Sequence, residues 1–229
     1  MGKIQEYGKW MPHSLSESAK TDRLNTCKEL LKNHRKKSFL WRIVTGDEKW
    51  VLYDNPKRKK HWVDPGKAIT STPKPNIHGK KVLLCVWWDR HGVLYHELLK
   101  PCQTVTADVY CSQLGKLSQI LREKRQKYAH NQGLVLLLHD NARPHVASVT
   151  KNTIHQLGWS ELPHAAYSPD LAPSDCHLFR SMEHFKESED VKKWVVRFFG
   201  SKPWTFYRDG IHSLPERWQK VVKCNGSYI

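Results

Sequence analysis

The sequence predicts an α/β fold: a mixed sheet of three antiparallel strands followed by α/β crossovers, with helices on both faces. Three observations carry this. Runs of strand length and β-branched or aromatic composition come first, "FLWRIVTGDEKWVLYD", "KVLLCVWWD" and "GVLYHELL", the last two separated only by a tight turn. Helical spacing then takes over, with Tyr110, Leu114, Leu117 and Leu121 on one face. A short apolar run, "LVLLL", returns between two helical segments, the alternation that builds crossovers.

In chain order, residues 14–34 read as a helix, with Ser14 and Glu17 as a capping box and Leu24, Cys27, Leu30 and Leu31 on one face. The stretch 39–54 has strand composition with Asp47 in its middle; the pattern fits one long strand or two shorter ones. Residues 55–80 hold four prolines, a Lys-Arg cluster and no sustained period, a long excursion of the kind that is usually functional or disordered. The strands 81–89 and 92–99 form a hairpin through Asp89, Arg90, His91 and Gly92. Trp87 and Trp88, alternating across the first of these strands, are expected to pack one in the core and one beneath a helix. A helix is predicted over 107–127, a strand over 134–138 and a helix over 144–157. The Pro-rich "SELPHAAYSPDLAPSD" reads as loop with a short strand, and a further helix starts near Ser174. The order is β-β-β-α-β-α-β-α, and sites in such sheets gather at strand ends.

Composition bounds the function. The 229 residues include ten Trp, eight Tyr and six Phe, enough for a sizeable core. Mean hydropathy is -0.66, no apolar run reaches the ~18 residues of a membrane span, and the N-terminus lacks a signal-peptide core, so a soluble intracellular protein is expected, with no membrane partner. A net charge of +16 points to a polyanionic partner, of which nucleic acid is the usual one. Six scattered cysteines without a C-x-x-C pair suit reduced thiols rather than a zinc ribbon or disulfide framework.

Asp140 poses the chemical question, because a carboxylate at the end of a buried strand is costly unless solvated, paired or metal-bound. Asp47 on the first strand, Asp140 at the end of the fourth and Asp175 at a later helix start can converge on one point of the sheet. Three anions there repel unless divalent cations neutralise them. Oxygen-only donors suit Mg²⁺ or Mn²⁺ better than zinc. Two such ions clamp the attacking and leaving oxygens of a phosphoryl displacement, the chemistry of nicking, hydrolysis or transesterification of a phosphodiester. Glu48 would point to the opposite sheet face, Asp170 reads as a turn former, and His139, His145 and His177 lack a standard zinc spacing.

"VTGDEKW", "HDNARPH", "YSPDLAPSD" and "GIHSLPERWQKVV", with "KWMPHSL" near the start, resemble the catalytic domain of mariner-family transposases, part of the wider mariner/Tc1 group with an RNase H-like fold. The chain is similar also to the transposase part of SET-domain/mariner fusion proteins. Between Asp140 and Asp175 lie 34 residues, the interval of the family's Asp-Asp-34-Asp triad.

The resemblance implies that Asp47, Asp140 and Asp175 bind two Mg²⁺ or Mn²⁺ ions, with no small-molecule cofactor. They would cut DNA at inverted-repeat ends and join the 3′ ends to a TA target. It implies a homodimer, in which the excursion 53–80 clamps the partner subunit and Trp10, Pro12 and His13 belong to a supporting linker. Lys57, Arg58, Lys59, Lys60 and Trp62 are candidates for DNA or dimer contact. Residues 1–36 would be linker and helix following a helix-turn-helix region that this chain does not include, and 37–229 the catalytic domain; specific end recognition is then reduced. Nuclear residence follows from the substrate.

The segment after Phe185 is shorter than the family pattern. Together with the absent recognition modules, this keeps an alternative open: a domesticated or catalytically inactive fragment that binds DNA. A cellular enzyme acting on RNA–DNA hybrids is a further reading that the linker and "YSPDLAP" disfavour.

Overall fold

The structure, a computed structural model, describes residues 14–35, 38–52, 81–101, 103–125, 134–182 and 191–229. Helix α1 spans Glu17–His34; its N-cap is Ser16, whose Oγ accepts from the Ala19 N–H, so the cap lies two residues beyond the expected Ser14. A short 3₁₀ turn, Leu40–Arg42, leads into β1, Ile43–Leu52, one long strand with Asp47 at its middle. Strands β2, Lys81–Asp89, and β3, Gly92–Leu98, form the predicted hairpin. Its turn closes by a hydrogen bond from the His91 N–H to Asp89 Oδ1 at 2.8 Å, and Gly92 supplies the positive φ.

Helix α2, Ala107–Lys124, is capped by Thr106. Strand β4 keeps only Leu136–Leu138 of the predicted run. The expected helix after it divides at the extended backbone of Ala147 into α3, Arg143–Val146, and α4, Ser148–Gln156. The short β5 is Ser160–Glu161, and Ser174–Phe179 forms a π-helical turn rather than the start of a regular α-helix. Three helices follow that the sequence order above does not resolve: α5, Val191–Ser201; α6, Trp204–His212; and α7, Leu214–Lys223.

The sheet order is β3-β2-β1-β4-β5, with β1 antiparallel to β2 and parallel to β4. Strand β2 is buried on both faces, which is why it reads as a continuous apolar run without alternation. One face gathers Ile43, Val86, Trp88, Leu136 and Leu138 with side chains of α1, α5, α6 and α7. The other gathers Val44, Cys85, Trp87 and Leu137 with α2 and α4. Trp87 and Trp88, both fully buried, therefore anchor opposite layers: Trp87 stacks on Tyr95, and Trp88 packs on His177 and Tyr207. Truncating either would cost about 3–5 kcal/mol. Among the described residues no helix is long and apolar enough to cross a membrane. The five described cysteines are free thiols.

Candidate active site

The parallel pairing of Ile43 with Leu136 and Thr45 with Leu138 brings the end of β4 level with the middle of β1. Asp140, two residues beyond β4, thus comes near Asp47. Gly46 makes the approach tight: a Cβ there would run into the Trp87 indole, so only glycine fits before Asp47. The π-helical turn packs on β1 and carries Asp175 in its first residues, held by Leu178 and Phe179 in the core beneath.

The three carboxyls sense one another. Burial raises the Asp47 pKa well above the ordinary carboxylate value, with Asp175, Glu48 and Asp140 adding repulsion against the relief of the Glu48 N–H bond to Asp47. Asp175 is raised by burial, eased by Lys49 and raised again by Asp140. For Asp140 the upward push of burial is outweighed by hydrogen bonds from His145 and the Ala142 N–H, and its pKa is lowered. Among the described residues, no group of three or more His, Cys, Asp or Glu side chains stands close enough to hold a metal ion. The triad's carboxyls repel without closing on a common point.

Asp140 and Asp175 line a cleft of about 370 Å³ with His164, Tyr167, Pro169 and Ala172. Asn141 fastens one wall by donating from Nδ2 to the His164 carbonyl at 2.7 Å. Tyr167, at the cleft rim, is 79% exposed and has φ of 54°, an uncommon backbone state for a residue other than glycine.

Two features escape sequence reasoning. His145, fully buried, places Nδ1 at 2.6 Å from Asp140 Oδ1 and Nε2 at 3.4 Å from Glu48 Oε1. Burial would lower its pKa, but the hydrogen bond to Asp140 and the nearby Glu48 carboxylate prevail and raise it to about 10. Glu48 does face away from Asp47, as alternation requires, yet it meets the site through this imidazole. Arg23 of α1, also fully buried, makes a two-pronged pair with Asp170 at 2.8 and 2.6 Å and bonds Ser168 Oγ, fixing the loop before Asp175. The sequence signal was present in each case: "HDNARPH" places His145 five residues after Asp140, and Arg23 interrupts an apolar helix face.

His139 and His145 stack with ring centres 5.1 Å apart, whereas His177 stacks on Trp88 in the other layer. Trp10, Pro12, His13, Lys57, Arg58, Lys59, Lys60, Trp62 and the segment after Phe185 lie outside the described residues.

Comparison with known proteins matches residues 52–130 to the family described as "Transposase (partial DDE domain)". The chain is 53% identical over 235 aligned residues to the Mariner Mos1 transposase of Drosophila mauritiana, covering all of this chain and 68% of that protein. It is 39% identical to the Histone-lysine N-methyltransferase SETMAR of Homo sapiens, again over the whole chain but 34% of the relative. The structure of the Mos1 mariner paired end complex with Mn superposes with a TM-score of 0.88 at 54% identity, over 100% of this chain and 69% of that one. With that identity over that share of a mariner transposase, and with that superposition, the chain belongs to the mariner transposase family.

Proposed function

We propose that the chain is a metal-dependent DNA endonuclease and strand transferase, cutting at transposon inverted-repeat ends and joining them to a TA target. The carrying observation is the mutual repulsion of Asp47, Asp140 and Asp175 around one end of the β1–β4 pair. An all-oxygen donor set with a buried, repelled carboxyl fits Mg²⁺ or Mn²⁺, since a divalent cation relieves that repulsion. Bound there, two such ions would supply activation of the attacking oxygen and stabilisation of the leaving one.

The chain's own residues have separate tasks in this reading. Asp47, Asp140 and Asp175 hold the ions. His145 presents Asp140 by engaging one of its oxygens, and Lys49 offsets the charge of Asp175. The +16 net charge holds the DNA strand, with Lys57, Arg58, Lys59, Lys60 and Trp62 as contacts to DNA or to a second subunit. We divide the chain into a linker and helix, 1–36, and a catalytic domain, 37–229, with α1 resting on α7. A homodimer with the 53–80 excursion as clamp and Trp10, Pro12 and His13 as linker contacts, acting in the nucleus, completes the reading.

Nicking of supercoiled plasmid in Mg²⁺ and Mn²⁺ tests it without requiring end recognition. Cleavage by the parent chain that disappears in a folded Asp140→Ala variant is the expected result. If both proteins bind the plasmid and neither cuts it, the chain is a DNA-binding remnant instead.

A further inference from the structure

Strand β3 is an outermost strand of the sheet, separated by β2 from the strand that carries Asp47. The Leu99 N–H bond to the Leu83 carbonyl, at 2.9 Å, fixes the phase of the β2–β3 ladder. Hydrogen-bonded pairs then recur at Glu97 with Cys85 and at Tyr95 with Trp87, so the N–H and C=O of Leu98 and His96 point outward. Among the described residues these outward groups have no partner, and neither residue is buried. The edge is blocked at the neighbouring bulge, where Lys124 Nζ donates to the Leu94 carbonyl at 3.2 Å.

A slot of about 540 Å³ runs along β3, with a layer of the fold on each side. Lys124 comes from α2 on one side; Val196, Phe199 and Tyr207 come from α5 and α6 on the other, with Lys202 between those two helices. Val196 is 54% exposed, an apolar side chain left open beside unpaired backbone. Lys202 is steadied over the Phe198 and Phe206 rings at 4.7 and 5.2 Å. Among the described residues no acidic side chain lines the slot. Glu97, the one carboxylate of β3, is turned to the α2 face and held by Tyr95, Gln113 and Lys116. Burial and Lys124 keep the His96 imidazole below its ordinary pKa, so the fixed charge of the slot is that of the two lysines.

We propose that this slot takes an extended acidic segment of a partner protein, which adds to the sheet as a further strand beside β3. The alternation of donors and acceptors along the edge decides the class of ligand. Outward carbonyls at His96 and Leu98 repel the phosphates of a nucleic acid, whereas a peptide strand meets carbonyl and N–H alike at the ~6.8 Å repeat of a strand edge. A second copy of the chain would bring Lys124 and Lys202 of both copies together and oppose two chains of net +16, so charge selects a foreign, acidic strand. Its side chains would alternate, apolar ones against Val196 and Phe199 and carboxylates toward Lys124. The inference uses none of the DNA chemistry proposed above, so a failure to cut DNA leaves it standing.

The experiment is fluorescence anisotropy of a labelled heptapeptide of alternating glutamate and valine, titrated with the chain in a chelator over a range of salt. Saturable binding that weakens with salt is expected, and replacing every glutamate by lysine should abolish it. Methylating every backbone nitrogen of the peptide removes its donors and keeps its side chains, and a loss of about tenfold or more is expected. His96→Pro deletes one outward N–H without touching the ladder, and His96→Ala, which keeps that N–H, is its control; the proline variant should bind severalfold more weakly than the alanine variant. Lys124→Glu/Lys202→Glu reverses the charge of the slot and should weaken binding about tenfold or more. All variants are checked for folding by circular dichroism. No saturable binding by the parent, equal affinity for the methylated peptide, or binding within about twofold of its reference in both the proline and the lysine variants overturns the proposal. A parent dimer in sedimentation that His96→Pro dissolves gives the edge to a second copy and overturns it too. Loss of plasmid binding in the lysine variant, with no peptide binding by the parent, gives the slot to DNA instead.

Discussion

His145 Nδ1 sits 2.6 Å from Oδ1 of Asp140, and the same oxygen accepts the Ala142 N–H at 2.9 Å. One carboxylate oxygen is thereby occupied from two sides, and the carboxyl plane is fixed. A partner that orients a ligating group usually accounts for 10–100-fold of metal affinity. His145→Ala is expected to weaken Mn²⁺ binding by about that factor, read by calorimetric titration, while the far-UV spectrum stays that of the parent. Unchanged Mn²⁺ affinity in the folded variant would remove His145 from the site.

The same histidine sets a pH dependence with a definite sign. Its folded pKa of about 10 lies above the ordinary 6.5. Its contribution to stability is thus complete below pH ~6.5 and is lost as pH climbs toward 10. His139 behaves oppositely: burial and the neighbouring His145 hold it near 3, so the fold loses stability as pH falls below its ordinary 6.5. Metal-free stability should peak near neutrality and decline on both sides. Urea midpoints across pH check this, and His145→Gln should flatten the alkaline limb and, by removing a charge that helps hold His139 down, make the acid limb shallower.

The hairpin, the placement of Asp47 inside a strand and the division of Trp87 and Trp88 between layers were legible because each follows from local pattern: turn residues, composition and alternation. The π-helical turn at Asp175 was not, since the spacing of Leu178 and Phe179 fits one helical turn whatever its winding. Nor was the break at Ala147, because nothing in "RPHVASVTKNT" signals an extended residue. Glu48 was correctly sent to the opposite face from Asp47. That face lay within reach of a histidine on α3, and such long-range closures are not encoded in any window of sequence.

Asp47 carries an energetic cost in the metal-free protein. Its pKa is raised by burial and by Asp175 and Glu48, so the fold loses stability as pH rises above the ordinary carboxylate value. Asp47→Asn removes the charge at nearly constant volume. The metal-free melting temperature is expected to rise by roughly 2–4 °C, the shift that ~1 kcal/mol makes in a chain of this size, while cleavage is lost. Added Mn²⁺ should stabilise the parent and leave the variant almost unmoved. A lower melting temperature in the variant would contradict the repulsion argument.

Arg23 and Asp170 make a further case, where the sequence suggested only a turn. The Arg23 guanidinium is enclosed: it meets both Asp170 oxygens, Ser168 Oγ, and the carbonyls of Gly226 and Ser227 at 2.8 and 3.2 Å. It thus joins α1, the loop before Asp175 and the C-terminal turn. That turn itself depends on Gly226, whose φ is 84° and whose Cα faces the Lys20 backbone. Breaking a buried pair from one side leaves an uncompensated charge, which costs about 3–5 kcal/mol. Asp170→Ala strands a fully enclosed cation, whereas Arg23→Met removes the cation and leaves Asp170 beside water, since its side chain is 11% exposed. The ordering expected in urea denaturation is therefore Asp170→Ala least stable, Arg23→Met intermediate and the double replacement Arg23→Met/Asp170→Ala no worse than the less stable single variant. Full additivity of the two losses would show that the residues act independently and that the pair is not what fastens the Asp175 loop to α1.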